Sequence, residues 1–512
     1  MRKNSKFISI LSFSLVSLFS LGSCGNSNNN GDNGKVYIHI LNAEDYIDEE
    51  LIAQFNEANT ECEIIYETYD TNETMYNELQ TGKANYDLIC CSEYMIQRLA
   101  SEGLIQKISD LETYEENVST YLVSHDSENP GIIDKINVFD KKTSQKLGIL
   151  SEFAKGYMRG TLGILYNPTY STFVSRGMEK EDIVEELNSE NGWSAFWNPN
   201  YKGTQSIKDS MRDTYALGIL EIYKDKFLDD SISYDDKNNI YFNDHSDEAI
   251  ENVKNRLIQL KDNIFGFEVD SGKNDIVTKK IGMNLARSGD ACFSILQGQY
   301  YPGEDESYEE EKPDGIRTEL YYALPSSGAN IWFDAWCMPK TVDKDSKNYE
   351  YACKFLDFLS EPESVTANMY CTGYTSFISG TSLEIEENPI LSYLYDSYDM
   401  EGEEGVIDYD ISYFFGTSEE IILQVDPDSW EGRTLKAQYP EESEIGRLYV
   451  MQDFGKDNNK IVKMWEDVKV NPLPTFVIVS LIIFVAAVLL YLGTYNIVKK
   501  YKVKKRKALR NK

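Results

Sequence analysis

The chain has 512 residues, enough for roughly two to four domain-sized units. It carries 50 Lys and Arg against 85 Asp and Glu, a formal net charge of −35, which excludes nucleic acid as the main partner because phosphate backbones are held by broad basic faces. An apolar fraction of 41% with 12% aromatic excludes a disordered chain, and three histidines, His39, His125 and His245, are too few and too scattered for a His-rich metal site.

At the start, Arg2, Lys3 and Lys6 make a basic head, residues 7–21 an apolar run, and Gly22 and Ser23 precede Cys24. This is the layout of a secretory signal. Leu21-Gly22-Ser23-Cys24 also resembles the bacterial lipobox, in which the Cys is acylated after cleavage. Residues 1–24 are therefore expected to be a lipoprotein signal peptide with lipidation at Cys24, and 25–34 (GNSNNNGDNG) a flexible tether with nothing to bury.

A strand is predicted over 36–41 (VYIHIL) and a helix over 49–58, with Asp48 as its cap and Leu51, Ile52 and Phe55 on one face. A second strand follows over 63–69, a helix over 74–80 and a buried strand over 86–91 (YDLICC). Strands alternating with helices predict a parallel sheet covered on both faces, with ligands bound beyond the carboxyl ends of its strands. The segments 42–46 and 92–94 are thus the first places to look. Farther on, 246–263 and 349–359 read as amphipathic helices, and 289–296, 320–324 and 332–338 continue the βα pattern. Acidic, turn-rich stretches at 229–243, 303–315 and 399–408 read as surface loops.

The far end is apolar over 475–495, long enough for a ~30 Å hydrocarbon layer. The tail 496–512 follows, with nine basic residues from 499 to 512 and no acids. A transmembrane helix with a cytoplasmic tail is expected, leaving the acidic body on the extracytoplasmic face, as the lipobox also requires. Apart from Cys24 there are seven cysteines: Cys62, Cys90, Cys91, Cys292, Cys337, Cys353 and Cys371. Their odd number and apolar surroundings predict small buried hydrophobes, with room for one bridge.

No phosphate loop, HExxH, GxSxG or GxGxxG occurs, so no enzyme and no cofactor is expected. The stretch 66–94 (YETYDTNETMYNELQTGKANYDLICCSEY) instead resembles the polyamine-binding proteins of ABC importers, the spermidine/putrescine type. Further matches follow in the same order: YNP and WNPNYKG between 166 and 203, KDSMRDT at 208–214, Trp332 and Asp334, the helix leading into LSEPE, and Gly373-Tyr374. The resemblance covers about 35–468 and not the C-terminal helix.

It implies a two-lobe, type II periplasmic-binding-protein-like α/β fold that closes on its ligand about hinge strands. Lobe 1 would take 35–158 and 333–383, and lobe 2 would take 159–332 and 384–465. It implies ligand contacts from Tyr46, Ser92 and Tyr94, an acid at Asp213, a stacking Trp332 with Asp334 pairing a terminal ammonium, Tyr374, and Gln452 near a family glutamine. A polyamine is an apolar chain carrying ammonium groups. Its burial needs carboxylates for the charges and aromatic walls for the methylenes. Two family tryptophans align at Ala43 and near Gln297, and one family acid at Ser210, where Glu44 or Asp209 is positioned to compensate. Arg212 is read as a structural ion-pair partner. The implied partners are a polyamine, a separate permease and ATPase, and the membrane. The same fold with another organic cation, or a polyamine sensor or surface interaction protein, are the alternative readings.

Overall fold

The computed structural model describes residues 35–470, apart from 83–84, 125, 127, 303–308 and 313–315. The signal segment with Cys24, the tether, the apolar segment 475–495 and the basic tail lie outside the described residues. Among the described residues, no helix is long and apolar enough to cross a membrane.

The first units form as the pattern dictates. Strand β1 (Val36–Ala43) leads into α1 (Glu49–Ala58), where Asp48 accepts the amide of Glu50 at 3.0 Å and Leu51, Ile52 and Phe55 turn inward. Strand β2 (Cys62–Tyr69) lies parallel to β1, Val36 opposite Cys62. Thr71 caps α2 (Asn72–Gln80), and the fully apolar start of β3 (Leu88–Ser92) pairs with the other edge of β1, also parallel. Helix α3 (Glu93–Ser101) begins directly where β3 ends.

Strand β4 (Ala154–Tyr166) is long and almost wholly buried. A second βα series follows: β5 (Gln205–Lys208), α4 (Met211–Ile222), α5 (Asp247–Lys261), β6 (Gly266–Glu268), β7 (Met283–Arg287) and α6 (Ser288–Gln299). Then come β8 (Ala329–Pro339), α7 (Lys347–Leu359), α8 (Pro362–Thr372) and β9 (Leu448–Val450).

The main path of the sheet runs β2-β1-β3-β8-β4-β7-β5-β6. At one end β2, β1 and β3 are mutually parallel; at the other, β7, β5 and β6 are. Between them β8 and β4 run antiparallel to each other, and each is antiparallel to its outer neighbour. Two parallel βα groups are therefore joined through two long central strands. The register of β8 on β4 shifts between Asp334 and Ala335, a bulge of the kind that re-aims a side chain.

Three expectations change; the stretch 303–315 includes a strand, Glu309–Glu311, paired antiparallel with Tyr300–Pro302. The stretch 229–243 is not simply a surface loop. A short helix (Tyr234–Asp236) runs into a π-helical turn (Lys237–Phe242) whose Asn238 and Phe242 are buried, with Asn238 accepting the amide of Val450 at 2.8 Å. Acidic neighbours masked this anchor in the sequence. Residues 289–296 are all helix, within α6. All seven described cysteines are free. Cys353 and Cys371 are half-buried and the other five buried, with the Cys91 and Cys337 sulfurs 4.0 Å apart.

Candidate functional site

The carboxyl ends of β3 and β7 and the turn after β1 meet β8 at its middle, and the first turn of α4 joins them through Arg287. Asp334 sits at the middle of β8, opposite Ser92 in the ladder. Its carboxylate accepts from the Tyr46 hydroxyl at 2.8 Å and from the Ser92 hydroxyl at 2.6 Å. Among the described residues no Lys or Arg lies within salt-bridge distance of it. Burial raises the Asp334 pKa above the ordinary carboxylate range; the two hydroxyls and the more distant Arg287 oppose the shift without cancelling it. Burial, reinforced by Asp334, likewise pushes the Tyr46 phenol well up, so it stays a donor. Ser92 stands at the N-cap of α3 but makes no cap bond. Its hydroxyl is spent on Asp334 and accepts from the Asn72 amide at 3.0 Å.

Aromatic rings continue outward from this carboxylate. Tyr374 meets Tyr46 edge-on at 5.5 Å and Trp332 edge-on at 5.5 Å. Two glycines make the wall possible. A Cβ on Gly160 would lie 2.5 Å from the Trp332 ring, and one on Gly289 would lie 2.2 Å from the Tyr374 ring. The rings therefore rest directly on backbone. Beyond Trp332 stands Arg287, the last residue of β7, its guanidinium 5.6 Å from the ring centre and 3.2 Å from a carboxylate oxygen of Asp213. Asp213, chiefly, raises the Arg287 pKa against the pull of burial. Behind it, burial disfavours the charge on Lys208, but Asp290 at 2.8 Å and Glu268 at 3.4 Å hold its pKa above the ordinary value.

Six of the eight expected contacts, Tyr46, Ser92, Asp213, Trp332, Asp334 and Tyr374, thus form one chain of contacts linked through Arg287. Tyr94 and Gln452 belong to a neighbouring group. The Arg212 guanidinium lies 3.6 Å over the Tyr94 ring and donates to the Gln452 carbonyl at 2.6 Å, while the Tyr94 hydroxyl donates to Glu73 at 3.2 Å. The Gln452 side chain turns away to Asn239 at 2.8 Å. Arg212 also lies 4.4 Å from Phe454, so it holds aromatic faces where an ion pair was expected; burial lowers its pKa. Glu93, beneath β8, accepts the Phe333 amide at 3.1 Å. Burial pushes its carboxyl up to about 8, against the pull of Arg212.

A contiguous carboxylate-and-aromatic group at strand carboxyl ends, between two parallel βα groups, is the place where such a fold holds a small ligand. Comparison with known proteins agrees with the architecture. The family model described as "Bacterial extracellular solute-binding protein" matches residues 50–391, two-thirds of the chain. The chain belongs to this family.

Its members bind solutes rather than turn them over, and this solute-binding protein is not an enzyme. It is 24% identical over 339 residues to the "Spermidine/putrescine-binding periplasmic protein" of Escherichia coli K12, covering 66% of this chain and 76% of that one. Among solved structures, the spermidine/putrescine ABC transporter substrate-binding protein PotD of Streptococcus pneumoniae superposes with a TM-score of 0.52 at 23% identity, covering 85% of this chain and 99% of that one. The TpPotD lipoprotein of Treponema pallidum gives 0.54 at 16%, covering 84% and 99%. These superpositions establish a mixed α/β periplasmic-binding-protein-like fold.

The departures noted in this solute-binding protein also take definite places. Ser210 caps α4 by accepting the Asp213 amide at 3.3 Å, so the hydroxyl has a local structural task. Glu44 is exposed in the turn after β1. Gln297 lies near the far end of α6; the side chain standing over Trp332 is Arg287, at the opposite end of that helix. Arg287 was not singled out from the sequence. The only local signal was a basic residue closing an otherwise apolar strand, MNLAR, at the carboxyl end where ligands of this fold bind.

Proposed function

We propose that the chain is the extracytoplasmic binding component of an ABC importer for a small alkylammonium ligand of the polyamine class. The observation that carries this reading is Asp334: a carboxylate clamped by two hydroxyls, given no cationic partner by the described residues, and continued by an aromatic wall. An ammonium on Asp334 restores the charge balance that burial of a lone carboxylate lacks. The methylenes then lie along Tyr374 and Trp332, where cation–π contact adds roughly 0.5–2 kcal/mol. The spermidine and putrescine relatives support the choice of ligand class.

In this reading the lobes are 35–158 with 333–383 and 159–332 with 384–465, and the ligand closes them because it touches both. Acylated Cys24 and the apolar segment 475–495 hold the receptor at the membrane beside a separate permease and ATPase, raising its effective concentration there. Calorimetry of the full-length chain with putrescine, spermidine, spermine and choline tests the ligand class. Binding of one amine that is lost in Asp334→Asn and weakened in Trp332→Ala is the expected result. A folded protein that binds none of them, or binds one equally well without Asp334, refutes it. Mass spectrometry of the mature N-terminus tests Cys24.

A further inference from the structure

Arg287 stands at the outer end of this group of side chains. Its guanidinium is the side chain seated on Trp332, and it occupies Asp213, the second carboxylate of the group, at 3.2 Å. Asp213 itself is buried, so its charge is answered from within the protein. The other nearby acids are answered too, since Asp290 and Glu268 share the buried Lys208. Asp334 alone in this group has no cationic partner among the described residues and is left for an ammonium. A diamine needs two carboxylates, because a second buried ammonium without a partner costs several kcal/mol. To gain one it must displace Arg287 from Asp213.

The guanidinium has capacity to spare. Its side chain is 44% exposed, and its Nε, although shielded from solvent, makes no hydrogen bond among the described residues. Arg presents a planar fork of donors that suits a carboxylate, and here one side of that fork is already held by Asp213. An ammonium pole at Asp334, an aromatic wall, and a fixed guanidinium in sequence describe a site with opposite poles.

Building on the alkylammonium reading of the same site, we propose that Arg287 makes the preferred ligand a zwitterion. Its ammonium pairs with Asp334, its short methylene chain lies on Tyr374 and Trp332, and its carboxylate is received by Arg287. The chemical class is an ω-amino acid or its close analogue rather than a bare diamine.

Two probes of nearly equal length separate the classes: 5-aminopentanoate, with a carboxylate at one end, and 1,4-diaminobutane, with ammonium at both. Calorimetry on the full-length chain is expected to give at least tenfold tighter binding of 5-aminopentanoate. Arg287→Gln should weaken that ligand at least thirtyfold and strengthen the diamine, because Asp213 is freed. Arg287→Lys, with charge but no fork, should fall between. Asp334→Asn should weaken both probes. Tighter diamine binding to the unaltered chain, or an unchanged preference in a folded Arg287→Gln protein, overturns the proposal while leaving the alkylammonium reading intact. Failure of the folded chain to bind any of the amines, or indifference of every ligand to Asp334→Asn, overturns that underlying reading instead. Should Arg287→Gln fail to fold, the preference of the unaltered chain still decides.

Discussion

The two carboxylates of the candidate site, Asp334 and Asp213, lie in contrasting surroundings. Among the described residues Asp334 is hydrogen-bonded by two hydroxyls, at 2.8 and 2.6 Å, and its pKa is raised by burial. Asp213 is paired with a guanidinium at 3.2 Å. Hydroxyls orient a carboxylate and solvate it without cancelling its charge, so Asp334 keeps a demand for a cation. A salt bridge removes that demand. Counting acids near a site therefore overstates its capacity for cations; what matters is which acids the protein has already satisfied.

Substitution of each acid should break the comparison most visibly. Asp334→Asn is expected to lower ligand affinity by roughly a hundredfold, about 3 kcal/mol, since it removes the carboxylate proposed to pair with the ammonium. Affinity in the unaltered chain should also weaken as pH falls through the raised pKa of Asp334, because a proton then competes with the ligand. Calorimetry at several pH values reads both effects. Asp213→Asn should act mainly on stability. It leaves Arg287 without its counter-ion, but the guanidinium is partly open to solvent, so a loss of about 1 kcal/mol is expected from thermal melts.

The wall between the two acids can be moved without touching either. Gly289→Ala places a methyl group 2.2 Å from the Tyr374 ring, which must swing away from Trp332. A stability loss of about 1–3 kcal/mol is expected, with weaker binding. An unchanged melting temperature would show that the ring is free to relocate.

A third acid sharpens the same contrast. Glu93 is buried under β8, with its carboxyl raised to about 8 by burial. A raised folded-state pKa means the folded protein holds the proton more tightly than the unfolded chain. The stability Glu93 contributes is thus complete below its ordinary range near 4.5 and is lost as pH rises toward about 8. Glu93→Gln keeps an acceptor for the Phe333 amide and should flatten that part of the melting profile between about pH 5 and 8. Ser92→Ala is expected to have a modest effect. It removes one hydroxyl from Asp334 and should weaken binding about five- to tenfold, near 1 kcal/mol.

The N-terminal half of the first βα group was legible because its signals are local. Asp48 caps α1, apolar residues recur at helical spacing, and LICC is apolar enough to need burial on both faces. Motif resemblance located Tyr46, Ser92, Trp332, Asp334 and Tyr374, and in the structure these touch in one chain. Neither periodicity nor motif could place Arg287 on Trp332. They lie on strands β7 and β8, which are separated by the whole of β4 in the sheet, and the meeting depends on how side chains project from both. The same holds for Arg212 on Tyr94 and for the π-helical anchor that turns Gln452 away.

From sequence alone come the acidic body and the order of the first βα units, which follows from patterns within a few residues of one another, where backbone geometry sets which positions share a face. The class of fold and the identity of most side chains in the site came from the resemblance of the chain's motifs to a known family. Which acid is free and which is neutralised was decided only by the tertiary structure. Charge pairing acts through space over a few ångströms, and residues far apart in the chain supply the partners.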